Sequence, residues 1–166
     1  MNSRQANRIR VLIADDDELI LDCYRKAFGN DESTDYMKAL GSLEAELFEP
    51  ATGDTVDEPR FEIVACSQGM QAINLAEEAT KAGHPFDVII LDVRMPPGID
   101  GVETGSRIRK LDPDAEIIFV SGFSDISRDE LERRVPPPMK LHYFNKPISF
   151  MQLAEDVAMM VRTHTH

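Results

Sequence analysis

Five side chains of the types used in phosphoryl chemistry each follow a short apolar run. Asp15 and Asp16 follow RIRVLIA, Asp92 follows DVIIL, Ser121 follows EIIFV, and Lys146 follows LHYF and Asn145. If these runs are neighbouring strands, three carboxylates share one crevice with a hydroxyl and an ammonium. Carboxylates so placed repel one another and raise one another's pKa. A hard divalent cation relieves that repulsion. Mg²⁺ prefers oxygen ligands, keeps several waters and typically takes one or two carboxylates plus a phosphate. With no His or Cys beside these acids, the site should prefer Mg²⁺ or Mn²⁺ to Zn²⁺. One carboxylate can then attack phosphorus and form an aspartyl phosphate. The ammonium offers fixed positive charge to phosphoryl oxygens, and the hydroxyl can bond them on arrival. Taken singly, each residue has a plainer reading. An acid after a strand is often a turn residue or a helix cap, Asp17 above all, and Ser121–Gly122 makes an ordinary turn. The whole set at matching strand ends is what points to chemistry.

The elements that must position these groups follow from hydrophobic periodicity. Arg8–Ala14, Phe61–Ala65, Asp87–Leu91, Glu116–Val120 and Leu141–Phe144 are short, apolar and free of period-two alternation, which predicts buried strands. Between them lie helical patterns over Glu18–Phe28, Gln68–Ala82, Gly101–Leu111 and Ser127–Val135, and a last one from Ser149 to about Arg162. The apolar stripe of the first runs through Ile20, Cys23, Tyr24 and Ala27. Ser67 and Asp100 are positioned to cap the second and third helices, and Gly105 weakens the third. Ser127 with Glu130, and Ser149 with Gln152, fit capping boxes, and Pro136–Pro138 forbid continuation of the fourth helix. Strand and helix alternate five times, so the fold class is α/β: a doubly wound, five-stranded parallel sheet covered on both faces. Ligands bind such sheets at the carboxyl ends of the strands. In the order 2-1-3-4-5 the crevice falls between the first and third strands, where Asp15, Asp16 and Asp92 end.

A length of 166 residues predicts one domain, spanning about 8–163 with tails at 1–7 and 164–166. No apolar run is long enough to cross a bilayer and no signal peptide is visible, so a cytoplasmic address is expected. The net charge of −12 opposes binding to nucleic acid or anionic membrane. Arg107, Arg109 and Lys110 read as one solvated helix face. Cys23 and Cys66 lack metal or redox spacing and read as buried free thiols. His84 and His142 read as loop and strand-edge residues, and His164 and His166 as a frayed tail.

VLIADDDE, ILDVRMP with a following DG, IIFVSGF and YFNKP together resemble the receiver domain of bacterial two-component response regulators, from about Arg8 to Val161. The resemblance implies a flavodoxin-like receiver fold. It also implies a signalling phosphoacceptor that catalyses only its own phosphorylation and dephosphorylation. Carried over by residue, it implies that Asp92 is the phosphoacceptor and Asp16 a direct metal ligand. Asp15 would hold the metal or its water, and Arg94 would give its backbone carbonyl to the ion. Ser121 would be the switching hydroxyl, Lys146 the phosphoryl-binding lysine and Tyr143 the aromatic switch residue. Phosphorylation would then reach the surface formed by helix four, strand five and helix five, with Tyr143 turning inward. The implied donor is a histidine kinase or phosphotransfer protein. The implied target is a partner or an output module, such as the diguanylate cyclase, phosphodiesterase or kinase of longer chains. Homodimerisation stays open.

Two departures stand out. The loop RMPPGIDG is one residue longer than RMPGIDG, and about 30–60 forms an insertion between the first helix and second strand. The insertion reads as an amphipathic helix over Asp35–Phe48, with Leu40, Leu43, Leu47 and Phe48 on its stripe, and then an acidic, turn-rich loop from Pro50 to Pro59. From Asp31 to Glu62 the chain carries a charge of −8. Topology puts this segment at the amino-terminal edge of the strands, away from Asp92. Its apolar stripe needs cover, either on the first helix or on a neighbouring module or second subunit. Two other functions compete. A haloacid-dehalogenase-type phosphohydrolase would use Asp15 as nucleophile, but Leu19 stands where Thr or Val is expected and no acidic pair follows Lys146. A receiver-like scaffold would bind partners without phosphorylation, which the intact set of site residues opposes.

Overall fold

A computed structural model describes residues 8–29, 59–122 and 126–163. Among these, five strands alternate with five α-helices. In order they are β1 (Arg8–Ala14), α1 (Glu18–Phe28), β2 (Arg60–Cys66), α2 (Gly69–Lys81), β3 (Val88–Asp92), α3 (Gly101–Leu111), β4 (Glu116–Ser121), α4 (Arg128–Arg134), β5 (Leu141–Asn145) and α5 (Phe150–Thr163). A 3₁₀ turn, Pro138–Lys140, leads into β5. Every strand pairing is parallel, and the order is β2-β1-β3-β4-β5. The doubly wound receiver-type sheet expected from sequence is the one found. The helix expected over 35–48, the loop over 50–58 and both tails lie outside the described residues.

The strands read as unbroken apolar runs because both faces of the sheet are covered. One layer packs Leu12, Ile89, Leu91, Ile117 and Phe119 against Ala72, Ile108 and Leu131 of α2–α4. The other packs Val11, Ile13, Ile90, Ile118 and Val120 against Leu21, Tyr24 and Phe28 of α1 and Leu153 and Val157 of α5. Tyr24 meets Phe150 edge-on at 4.8 Å, and Phe28 meets Phe61 at 5.0 Å. The second contact leaves the end of α1 beside the start of β2, at the amino-terminal end of the sheet. Gly105 does not break α3. It lets the helix approach Phe119, whose ring a side chain there would strike.

The helix starts depart from sequence expectation in one place. Asp17, Asp100, Ser127 and Ser149 each accept a backbone N–H in the first turn of the next helix. Ser67 does not cap α2. The turn after β2 delays the helix by one residue, so Gln68 takes the cap position without a side-chain bond, and the Ser67 hydroxyl meets Gln71 Oε1 at 3.3 Å.

Two further expectations are corrected. Cys23 is exposed while Cys66 is buried, because the buried stripe of α1 runs through Leu21, Tyr24 and Phe28. Arg109 does not share a solvated face with Arg107 and Lys110; it is buried, on the same side of α3 as Val102 and Ile108.

Candidate functional site

β1 and β3 are adjacent, with Ala14 opposite Leu91, so their next residues emerge side by side. Carboxylate oxygens of Asp15, Asp16 and Asp92 all lie within 4.8 Å of one another. Lys146 comes from β5, two strands away from β3, and its long stem spans the gap. Its Nζ stands 3.4 Å from Asp92 Oδ1 and 4.0 Å from Asp15 Oδ2. Asp92 and Asp15 are 7% and 2% exposed, whereas Asp16 faces solvent at the rim.

Asp15 Oδ1 accepts the Asp17 N–H at 2.9 Å. Its Oδ2 is buried and has no hydrogen-bond partner. Burial first, and then the charges of Asp92 and Asp16, push the Asp15 carboxyl up to about 6, against the pull of the Asp17 amide and Lys146. Burial also raises Asp92, opposed by Lys146 and by the Arg94 amide 3.4 Å from Oδ1. A buried carboxylate oxygen without a partner is costly. The donor set is all oxygen, it is acidic, and it is open to water through Asp16. These residues fit a hard divalent cation of the Mg²⁺ type.

The backbone around Asp92 is braced from behind. The Gly101 N–H bonds the Val93 carbonyl at 2.8 Å, and a side chain at Gly101 would collide with the Asp92 carbonyl. On the other flank, the Val93 N–H bonds Val120 at 3.1 Å.

Ser121 and Tyr143 form a second pair beside this cluster. The Ser121 side chain is fully buried, and its hydroxyl meets the Gly122 carbonyl at 2.8 Å and the Tyr143 hydroxyl at 2.9 Å. Tyr143 is half-buried and already reaches Ser121, so inward rotation is not needed to bring the ring to it. The Lys146 N–H bonds the Ser121 carbonyl at 2.8 Å, tying the end of β4 to the residue that carries the ammonium. One contact escaped sequence reasoning. Gln68 Nε2 donates to the Pro96 carbonyl at 3.2 Å, across the loop that follows Asp92.

The family model for the response regulator receiver domain matches residues 46–158. The chain belongs to the response regulator receiver family. It is a receiver domain of two-component systems, and the haloacid-dehalogenase-type alternative finds no support. Asp92, Ser121, Tyr143 and Lys146 fall within the matched residues, and the geometry joins Asp15 and Asp16 to them. This receiver is 33% identical over 101 residues to the sensor kinase CckA of Brucella abortus (strain 2308), covering 61% of this chain and 10% of that one. It is 29% identical over 78 residues to the response regulator receiver protein CpdR of the same organism, covering 47% of this chain and 62% of that one. The receiver thus spans less than two thirds of either curated relative. Among solved structures, a response regulator receiver protein from Sinorhizobium medicae WSM419 shares the fold with a TM-score of 0.60 at 21% identity, covering 93% of this chain and 95% of that one. The response regulator TrrA from Thermotoga maritima, in complex with Mg²⁺ and BeF, shares it with a TM-score of 0.57 at 23% identity, covering 92% and 98%. Among the described residues no helix is long and apolar enough to cross a membrane.

Proposed function

We propose that this receiver accepts a phosphoryl group on Asp92 from the phosphohistidine of a histidine kinase or phosphotransfer protein. Residues about 8–163 form the unit that does so, in a cytoplasmic setting. The observation that carries this reading is the convergence of three carboxylates within 4.8 Å of one another, with Lys146 Nζ 3.4 Å from Asp92. An Asp92 oxygen forms the new bond to phosphorus as the donor's P–N bond breaks. The imidazole keeps that electron pair and takes up a proton. Lys146 orients the phosphoryl group and offsets its charge. Asp15 and Asp16, together with Asp92 and the Arg94 carbonyl, are the groups that would hold Mg²⁺, or Mn²⁺ in its place. When bound, the ion supplies positive charge to the phosphoryl oxygens.

The switch follows from the second pair. Ser121 must give up a present partner, the Gly122 carbonyl or the Tyr143 hydroxyl, to bond a phosphoryl oxygen. Either exchange changes the setting of Tyr143, which bonds the same hydroxyl, and so alters the face built by α4, β5 and α5, where an output module or partner would read it. The chain acts as a phosphoacceptor, without a separate substrate turned over.

Incubation with acetyl phosphate and Mg²⁺ tests the reading. Intact mass should rise by one phosphoryl group in the wild type. A beryllofluoride mimic should shift amides around 121–127 and at Tyr143. A spectrum changed only beside Asp92 would overturn the switch.

A further inference from the structure

Gln68 stands where a helix cap is expected, yet its side chain makes no bond to α2. It reaches instead across 28 residues of sequence to the Pro96 carbonyl, at 3.2 Å. The contact falls in the middle of the loop 94–100, the stretch that is one residue longer than the commoner form. Met95 and Ile99 pack this loop onto the core, but Pro96 and Pro97 have no N–H to give, so between those two anchors it has few hydrogen bonds of its own. Among the described hydrogen bonds, the one from Gln68 is what reaches residues 95–99 from another element. A side chain at Gly98 would come within 2.8 Å of Gln68 Oε1, so the amide lies close over the loop at both Pro96 and Gly98.

The base that carries Gln68 is fixed on both sides. Just before it, the Cys66 carbonyl accepts the Asp15 N–H at 3.2 Å. Just after it, Gly69 packs so closely that a side chain there would press on the side chain and carbonyl of Ile99. The β2–α2 turn therefore touches the acidic cluster on one side and the loop behind Arg94 on the other. Arg94 opens that loop, with its amide 3.4 Å from Asp92 Oδ1.

We propose that Gln68 is a positioning residue: by holding Pro96, it sets the path of the 94–100 loop and so the placement of the Arg94 carbonyl toward the cation. This rests on the reading of Asp15, Asp16, Asp92 and the Arg94 carbonyl as the cation site. Removing the donor loosens the loop before any ion arrives and weakens cation binding. It leaves the chemistry of Asp92 intact once the ion is bound.

The test uses the full chain and Gln68→Met, which keeps length and volume but has no donor. Amide exchange in Mg²⁺-free protein should quicken at residues 94–100. The Mg²⁺ Kd, read from amide shifts during titration, should rise roughly fivefold, the scale of one lost hydrogen bond. At saturating Mg²⁺, the rate of phosphorylation by acetyl phosphate should return to within about twofold of wild type, as expected when only binding is weakened. Gln71→Met is the control. It removes the Ser67–Gln71 contacts in the same turn and should leave the loop and the Kd unchanged. Gln68→Glu gives a second reading by amide exchange alone in Mg²⁺-free protein, since its carboxylate cannot donate to Pro96 at neutral pH. It too should expose residues 94–100. Unchanged exchange at 94–100 in a folded Gln68 variant overturns the proposal, as does an unchanged Kd in Gln68→Met or an equal Kd rise in Gln71→Met. An Asp92→Asn variant that takes up phosphoryl groups as well as the wild type would overturn the acceptor assignment instead, and the exchange and titration data would still decide the role of Gln68.

Discussion

The two ends of one sheet treat buried charge in opposite ways. At the amino-terminal end, Arg109 is 6% exposed, and its guanidinium donates to the carbonyls of Pro113, Ala115 and Lys140. Only its Nε lacks a partner. Nearby, buried Glu116 meets His142 Nε2 at 2.8 Å. Arg10 contacts Glu62 at 3.1 Å, lies 4.6 Å over the Phe86 ring and donates to the His84 carbonyl. At the carboxyl end, Asp15 is just as buried, but one of its oxygens has no hydrogen bond and its nearest charged neighbours include two more acids. Buried charge with partners built in fastens elements together. Buried charge without them is a local destabilisation that a cation can relieve, and its ligation free energy adds to folding free energy.

The sharpest way to break this comparison is at the acceptor. Asp92→Asn should abolish the acetyl phosphate mass gain while the protein stays folded by circular dichroism; a persisting gain would move the acceptor elsewhere. The next effect belongs to the other end. Arg109→Leu leaves three carbonyls without their donor and should lower stability by about 3 kcal/mol in urea denaturation, while Mg²⁺ affinity stays put.

Asp15→Asn should do the reverse, stabilising the Mg²⁺-free protein at pH 7 by on the order of 2 kcal/mol. The sign follows from the direction of the shift. The folded-state pKa of Asp15 is raised from 3.8 to about 6. The folded state therefore holds this proton more tightly, and stability is lost as pH rises from about 4 through 6. Denaturation of wild type and variant across that window should converge at the acid end and diverge toward neutrality. Saturating Mg²⁺ should then favour the wild type. The smallest effect is expected on the surface. Glu103 and Arg107 are exposed partners at 2.7 Å on α3, and Arg107→Ala should change stability by less than about 0.5 kcal/mol.

Where the sequence was legible, one pressure acted alone. β3 and β4 are buried on both faces and contain little but Val, Ile, Leu and Phe before Asp92 and Ser121. Their ends could be read directly, and the shared direction of the strands brought the site residues to one edge. Lys146 was legible for the same reason, as the cation just past the fifth strand. Arg109 was misread because a guanidinium that ends on carbonyls of the following turn and of Lys140 looks, in one dimension, like any helix-face cation. Cys23 was misread because the stripe of α1 is turned by about one residue from the alternative that includes it. Ser67 was credited with a cap because Ser is a common cap, but where a helix begins depends on where the preceding strand lets go. The Gln68–Pro96 contact carries no periodicity and belongs to no motif, so only the folded chain brings its partners together.

Arg109 also has a mechanical consequence. Its guanidinium joins the end of α3, the residue before β4 and the residue before β5. β4 and β5 are thereby clamped at their roots like two reeds in one holder, while their tips carry Ser121, Asn145 and Lys146. A clamped reed bends, with amplitude growing toward the tip. Displacement of Ser121 by a phosphoryl oxygen should therefore fade along β4 toward Glu116. Amide shifts on beryllofluoride addition should be large at 120–122 and 145–146 and near zero at 115–117 and 140–141. In Arg109→Leu that gradient should flatten, with the roots of both strands beginning to move.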